Sequence, residues 1–145
     1  MPDELSLQIL VDALKRGVRV RLITPGPITN TDTETVRAAT RQTWGPLLET
    51  GAEIYEFQPT MYHCKVMIVK KIMVSVGSTN FDNRSFRLND EANLNVYDGV
   101  VATKQTVIFE DDLKRSRRVT YGEWKNRPMQ EKAKDLMASL LRSLI

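Results

Sequence analysis

The sequence contains few of the side chains from which metal and hydrolytic sites are commonly built. Its 145 residues include one cysteine, Cys64, and one histidine, His63. A single cysteine excludes an intramolecular disulfide. One cysteine and one histidine together exclude the zinc sites that use four such ligands. Many hydrolytic mechanisms need a histidine, and His63 is the only one that this chain can supply.

Long apolar segments are also missing. No run approaches the roughly 20 apolar residues that span a bilayer, so we expect no transmembrane segment. The first four residues, Met-Pro-Asp-Glu, lack the basic start and apolar core of a secretory leader. Hydrophobic residues make up 41% of the chain, which is typical of a globular protein. We therefore expect a folded domain that is cytoplasmic or peripheral to a membrane.

Positive charge is concentrated toward the C-terminus. Residues 104–145 hold ten lysines and arginines against six acidic residues, whereas residues 1–103 hold eleven against twelve. A basic segment can bind phosphate, either as a lipid headgroup or in a nucleic acid. It can equally be the solvated face of a helix, and the composition leaves both interpretations open.

Hydrophobic periodicity predicts alternating helices and strands. Helices are predicted at residues 4–16, 33–50, 99–116 and 128–144, and strands at 18–24, 52–57, 64–69, 72–76 and 92–97. Pro46 is expected to kink the second helix or to split it into two pieces. This order is typical of an α/β fold, in which a mixed β-sheet is flanked by helices. Such a layer normally opens with a strand, so we expect that a strand upstream of Met1 is missing.

The turn between the third and fourth predicted strands is unusual. Lys70 and Lys71 occupy it, whereas two-residue hairpin turns favour Asn-Gly or Asp-Gly because both residues need a positive φ. The sequence therefore predicts a strained or reshaped hairpin tip.

A group of polar residues surrounds this hairpin. His63 and Lys65 share one face of a strand if they alternate, and Ser78 and Asn80 have the same spacing after the chain returns. Gly77 permits a close approach by a ligand. Lysine neutralises a phosphate, while serine and asparagine hold its oxygens or orient the imidazole. These residue types together indicate a phosphate site.

The spacing resembles the signature of the phospholipase D superfamily, H-x-K-x4-D-x6-G-S-x-N. His63, Lys65, Gly77, Ser78 and Asn80 all fall in register, and the aspartate position holds Lys70. Flanking segments are similar to the second catalytic half of bacterial cardiolipin synthases; they are residues 44–48, 58–63, 80–86, 89–93, 109–113 and 116–118. The resemblance covers nearly the whole chain, which we interpret as one catalytic domain over residues 1–145 with a basic helical segment from about residue 99.

The resemblance implies a mechanism and a set of roles. A histidine attacks the phosphodiester phosphorus to form a phosphohistidine, and a second histidine from another signature copy protonates the leaving alkoxide. The implied roles are His63 as the nucleophile or the acid/base, Lys65 and Asn80 as phosphate ligands, Ser78 as an orienting group and Glu91 as the support of His63. Arg84 follows Asn80 closely and is a candidate contact for an anionic headgroup; a solvated loop is the alternative, and the sequence leaves both open. Neither a metal nor an organic cofactor is implied.

These inferences lead to one hypothesis and three alternatives. The hypothesis is phosphatidyl transfer between phospholipids resembling phosphatidylglycerol, or the related hydrolysis, in a site completed by a second signature half or a homodimer. The first alternative is a homodimeric phosphodiesterase acting on nucleic acid. The second is a catalytically incomplete fragment, and the third is a module that binds an anionic membrane surface. Lys70 in place of aspartate is expected to weaken the turn without removing the nucleophile.

Overall fold

The computed structural model describes residues 4–27, 31–80 and 90–144, with side chains except within 31–36 and 139–144. The helices are α1 (Glu4–Lys15), α2 (Thr31–Gln42), α3 (Trp44–Glu49), α4 (Gly99–Lys114), α5 (Tyr121–Lys125) and α6 (Met129–Leu144). The strands are β1 (Arg21–Pro25), β2 (Glu53–Phe57), β3 (Val66–Val69), β4 (Met73–Gly77), β5 (Asn93–Val96) and β6 (Ser116–Val119). The predicted α/β class is confirmed.

The strands form two sheets of three strands each. In the first, with the order β1-β2-β6, β1 is parallel to β2 and β6 is antiparallel to it. The second is an antiparallel meander with the order β3-β4-β5. The predicted mixed sheet is therefore divided, and β1 and β3 are edge strands. A cavity of about 110 Å³ lies between them and is partly closed by α4.

Pro46 explains why two helices, and not one, lie between β1 and β2. Pro46 was expected to kink or split the helix predicted over residues 33–50, and the structure has α2 and α3 with Thr43 between them. Pro46 has no N–H with which to bond the carbonyl of Gln42, so a continuous helix would lose a hydrogen bond there. Proline is tolerated in a first helical turn, and Pro46 lies in the first turn of α3.

Strand β6 was not predicted, because its sequence Ser-Arg-Arg-Val falls at the end of an expected helix over residues 99–116. Helix α4 ends at Lys114, and β6 then pairs with β2. Two contacts explain the strand: Val119 is buried in the core, and Arg117 donates to Glu56 of β2 at 2.8 Å. Tertiary packing therefore overrides the local preference of this segment.

The main core lies between the first sheet and helices α1 and α3. Its buried members are Val11, Trp44, Leu47, Leu48, Ala52, Ile54 and Val119. Trp124 of α5 packs against Gly45, where a β-carbon would clash with the indole ring. Both tryptophans therefore anchor the fold.

Two buried carboxylates tie the outer elements to this core. Glu56 of β2 is paired with Arg37 of α2 and with Arg117 of β6. Asp135 of α6 is fully buried and accepts from Arg41 of α2 at 2.8 Å and from Arg127 at 3.0 Å. Removing one partner of such a cluster leaves an uncompensated buried charge, which typically costs about 3–5 kcal/mol. Charged contacts therefore join α2 to α6 in the protein interior.

Candidate functional site

The predicted site residues lie at the open end of the second sheet. Gly77 pairs with Asn93 across β4 and β5, and its N–H donates to the carbonyl of Lys65 at 3.3 Å. Lys65, Gly77 and Asn93 are therefore adjacent across the three chain segments. His63 lies two residues before Lys65, in the stretch that leads into β3. The hairpin brings the two parts of the sequence pattern together.

His63 and Lys65 are in direct contact. The ammonium Nζ of Lys65 lies 2.7 Å from Nε2 of His63 and 3.2 Å from the backbone carbonyl of His63. A lysine ammonium can only donate, so Nε2 is the acceptor of this contact in the tautomer that carries its proton on Nδ1. His63 is exposed and Lys65 is half-buried. A substrate can therefore reach the imidazole, and the cation is already beside it.

Gly77 has a different role from the expected one. A β-carbon there would clash with the side-chain oxygen of Asn93 and with the carbonyl of Ala92. The close neighbour is therefore the adjacent strand of the same chain, so the expected ligand contact is replaced by strand packing. The oxygen of Asn93 in turn accepts the N–H of Thr79 at 3.3 Å. Gly77 and Asn93 together fix the backbone that leads to Asn80.

Ser78 is held by the segment that contains Glu91. Its N–H donates to the carbonyl of Ala92 at 3.0 Å, and its Oγ accepts the N–H of Ala92 at 3.1 Å. Glu91 is the residue before Ala92 and is half-buried, as is Asn80. The structure therefore places Glu91 at the level of Ser78, while support of His63 by Glu91 stays a prediction. Arg84 lies outside the described residues.

A clamp on the residue before His63 was missed by the sequence reasoning. The hydroxyl of Tyr62 donates to Oδ2 of Asp112 in α4 at 3.0 Å, and its ring contacts Phe57 with 4.9 Å between the ring centroids. Burial, reinforced by the hydrogen bond to Asp112, raises the pKa of the Tyr62 hydroxyl above its ordinary value. The sequence offered one signal for this contact: both residues lie in segments of the family resemblance, 58–63 and 109–113. Fifty residues of sequence separate Tyr62 from Asp112.

A free cysteine in a folded protein is usually a buried small residue, but Cys64 is exposed. It lies just before the edge strand β3 and lines the cavity between β1, β3 and α4. Because β3 has no partner strand on this side within the described residues, nothing in the second sheet covers the thiol.

The hairpin tip adopts the strained geometry that the sequence predicts. Lys70 and Lys71 have φ values of 44° and 55°, and the N–H of Ile72 closes the turn on the carbonyl of Val69 at 2.8 Å. The left-handed region costs a residue with a β-carbon roughly 1–2 kcal/mol. The turn nevertheless forms, and β3 and β4 remain paired with Lys70 in the aspartate position.

The basic cluster at residues 114–118 is largely engaged within the protein. Lys114 and Arg115 pair with Asp111, Arg115 also pairs with Asp112, and Arg117 pairs with Glu56. Most of the positive charge of this cluster is therefore paired with carboxylates of the protein itself, and little of it remains for an anionic partner.

Comparison with known proteins gives a consistent family assignment. Residues 1–113 match the family model described as cardiolipin synthase, PLD-like domain. The whole chain is 35% identical to the major cardiolipin synthase ClsA of Bacillus subtilis, covering 30% of that protein. It is 34% identical over its full length to cardiolipin synthase 1 of Staphylococcus aureus, covering 29% of it. The chain thus spans about 30% of the length of these relatives.

A solved structure supports the fold. Nuc, a phospholipase D family member from Salmonella typhimurium, superposes with a TM-score of 0.69 at 20% identity, covering 83% of this chain and 76% of that one. The hairpin geometry, the family match and the whole-chain relatives agree. The chain therefore belongs to the cardiolipin synthase family of phospholipase D-like domains.

Proposed function

We propose that this chain is one catalytic half of an enzyme that transfers phosphatidyl groups between glycerophospholipids, with phosphatidylglycerol as the donor. The observation that carries the proposal is the 2.7 Å contact between Lys65 Nζ and Nε2 of His63. A nucleophilic lone pair and a phosphate-binding cation are thus next to each other at an exposed position. The cardiolipin synthase names of the curated relatives support this substrate class.

In the first step, Nε2 of His63 attacks the phosphorus, so that a P–N bond forms and the P–O bond to the departing glycerol breaks. Lys65 and Asn80 bind the phosphate oxygens and stabilise the negative charge of the transition state. Ser78 holds the loop that carries Asn80. The leaving alkoxide takes a proton from a second histidine, and general acid catalysis of this kind contributes about 10²–10⁴-fold.

In the second step, the same second histidine removes a proton from the hydroxyl of another phosphatidylglycerol. The oxygen attacks the phosphohistidine, the P–N bond breaks, and cardiolipin is released. Water in place of the lipid alcohol gives hydrolysis. This chain supplies one histidine, so the second comes from another signature, either elsewhere in a longer polypeptide or in a second copy of the chain.

Substrate consumption tests the proposal. The protein is incubated with phosphatidylglycerol vesicles or with DNA over a range of protein concentrations, with His63→Ala as the control. Formation of cardiolipin and glycerol supports the proposal. Consumption of DNA alone favours the nuclease alternative, and no consumption of either at any concentration indicates a catalytically incomplete chain.

Mixing variants tests the shared site. If two copies each supply His63, adding His63→Ala to a constant total amount of protein lowers activity with the square of the wild-type fraction, because mixed dimers are inactive. A site with one histidine gives a linear decrease. The curvature therefore separates a shared site from a self-sufficient one.

A further inference from the structure

Helix α6 turns its acidic side chains toward the protein. Asp135 is fully buried between Arg41 and Arg127, and Glu131 accepts from Arg41 at 3.1 Å. Ala138 packs against two alanines of α2. The face of α6 that packs against α2 therefore carries two acidic residues and one small apolar residue. An ordinary surface helix instead turns its apolar face to the protein and its charged face to solvent.

The opposite face of α6 is apolar and exposed. Met129, Leu136 and Met137 are 76%, 55% and 58% exposed, and Ala133 beside them is exposed as well. Residues seven or eight positions apart lie on the same side of a helix, so Met129, Leu136 and Met137 form one stripe. We call Met129, Ala133, Leu136 and Met137 the outer face of α6. No helix among residues 4–27, 31–80 and 90–144 is both long and apolar enough to cross a membrane.

Lysines border this apolar face. Lys132 and Lys134 lie on α6, and Lys125 ends the preceding helix. A depression of about 420 Å³ beside the outer face has Trp124 and Leu136 in its lining together with Lys125 and Lys132. The acidic groups of α6 are turned toward the arginines underneath, so the charge presented outward is positive.

We propose that the outer face of α6 docks on the surface of an anionic phospholipid bilayer. Its apolar stripe enters the boundary between headgroups and acyl chains, and Lys125, Lys132 and Lys134 reach the phosphates. Apolar insertion combined with a cationic border is the arrangement of helices that lie in the membrane interface. A second copy of this chain fits less well, because the lysines of two such faces would repel each other. The proposal does not depend on the proposed catalytic function.

The test is co-sedimentation of the full chain with vesicles of phosphatidylglycerol and phosphatidylcholine, compared with vesicles of phosphatidylcholine alone. We expect binding to the anionic vesicles, weakened by salt. Lys125→Gln with Lys132→Gln is expected to reduce the affinity about 30-fold, since each lysine near an anionic surface contributes a free energy equivalent to about fivefold. Leu136→Gln with Met137→Gln is expected to reduce it about tenfold or more.

The matched control is Val107→Gln with Ile108→Gln, since these residues are 64% and 52% exposed on α4. It is expected to leave binding unchanged, as is His63→Ala, which separates this proposal from the catalytic one. Circular dichroism and the urea midpoint verify that each variant folds. Equal binding to both vesicle types, or unchanged binding of the Leu136/Met137 variant, would overturn the proposal. Self-association that this variant abolishes, without vesicle binding, would assign the face to a contact between copies.

Discussion

The ammonium of Lys65 donates to Nε2 of His63 at 2.7 Å and to the carbonyl of the same histidine at 3.2 Å. The cation thus holds the imidazole and its backbone in one arrangement before any substrate arrives. Preorganised charge of this kind is usually the largest single contribution to catalysis. In the proposed reaction, an entering phosphate displaces Lys65 Nζ from Nε2, so that the ammonium binds the phosphate oxygens and the nitrogen lone pair faces the phosphorus.

Lys65→Met is expected to lower kcat about 10²–10³-fold, because it removes the charge that stabilises the phosphorane-like transition state while keeping a similar shape. Steady-state turnover of phosphatidylglycerol measures the effect. The matched control is Lys104→Met, an exposed lysine of α4, which should leave kcat unchanged. A rise in KM alone for Lys65→Met would contradict a role in the transition state.

The strained hairpin tip gives a stability prediction. Lys70→Asn with Lys71→Gly should raise the free energy of unfolding by about 1–2 kcal/mol, since asparagine and glycine accept a positive φ with less strain. Urea denaturation measures the gain. Lys70→Gln with Lys71→Gln removes the same two charges but keeps both β-carbons, and no gain is expected. An equal gain in both double variants would mean that charge repulsion, not φ, governs the tip.

Two aspartates of different burial should differ strongly in their effect on stability. Asp135→Ala leaves Arg41 and Arg127 buried without their carboxylate and should destabilise the fold by about 3–5 kcal/mol. Asp111→Ala removes an exposed carboxylate that pairs with Lys114 and Arg115, and it should change stability by about 0–1 kcal/mol. Equilibrium unfolding in urea measures both changes. Similar effects at the two positions would argue against the buried cluster.

Tyr62→Phe should destabilise the protein by about 1–2 kcal/mol at neutral pH, because it removes a hydrogen bond to the Asp112 carboxylate. The pKa of Tyr62 is raised in the folded state. Its contribution to stability is therefore fully present below the ordinary tyrosine pKa of about 10 and is lost as the pH rises above that value.

Stability measured from about pH 9 to pH 11 tests the sign. The wild type should lose more stability over this interval than Tyr62→Phe. Tyr121→Phe is the matched control, since Tyr121 also donates to a carboxylate, that of Glu49 at 3.3 Å. Parallel curves for wild type and Tyr62→Phe would refute the coupling.

Local patterns were sufficient for the parts of the fold that depend on neighbouring residues. Alternation located β3, β4 and β5, and the turn rule identified the strain at Lys70 and Lys71. Strand β6 could not be predicted, because only the edge of β2 and the buried Glu56 make a strand favourable for Ser-Arg-Arg-Val. Periodicity also identifies which face of α6 is apolar but not which face is buried.

The candidate site likewise combines features that the local sequence predicts with features that depend on tertiary packing. Fixed spacing predicted that His63 and Lys65 share one face, and the two side chains are in contact. The hydrogen bond between Ser78 and Ala92, beside Glu91, was not predicted. The clamp between Tyr62 and Asp112 joins residues whose proximity depends on how α4 lies against the chain before β3. The role of Gly77 was also misassigned, since only the register with β5 shows that Asn93 fills the space beside it.

The account depends most on His63 as a nucleophile, and the single histidine makes the test unambiguous. The full chain is incubated with phosphatidylglycerol, quenched in alkaline denaturant to preserve a P–N bond, digested and analysed by mass spectrometry. The account predicts a phosphatidyl adduct on the peptide that carries His63, absent from His63→Ala. Turnover of phosphatidylglycerol at the wild-type rate by His63→Ala, or turnover by the wild type with the peptide unmodified during a trapped steady state, would contradict it.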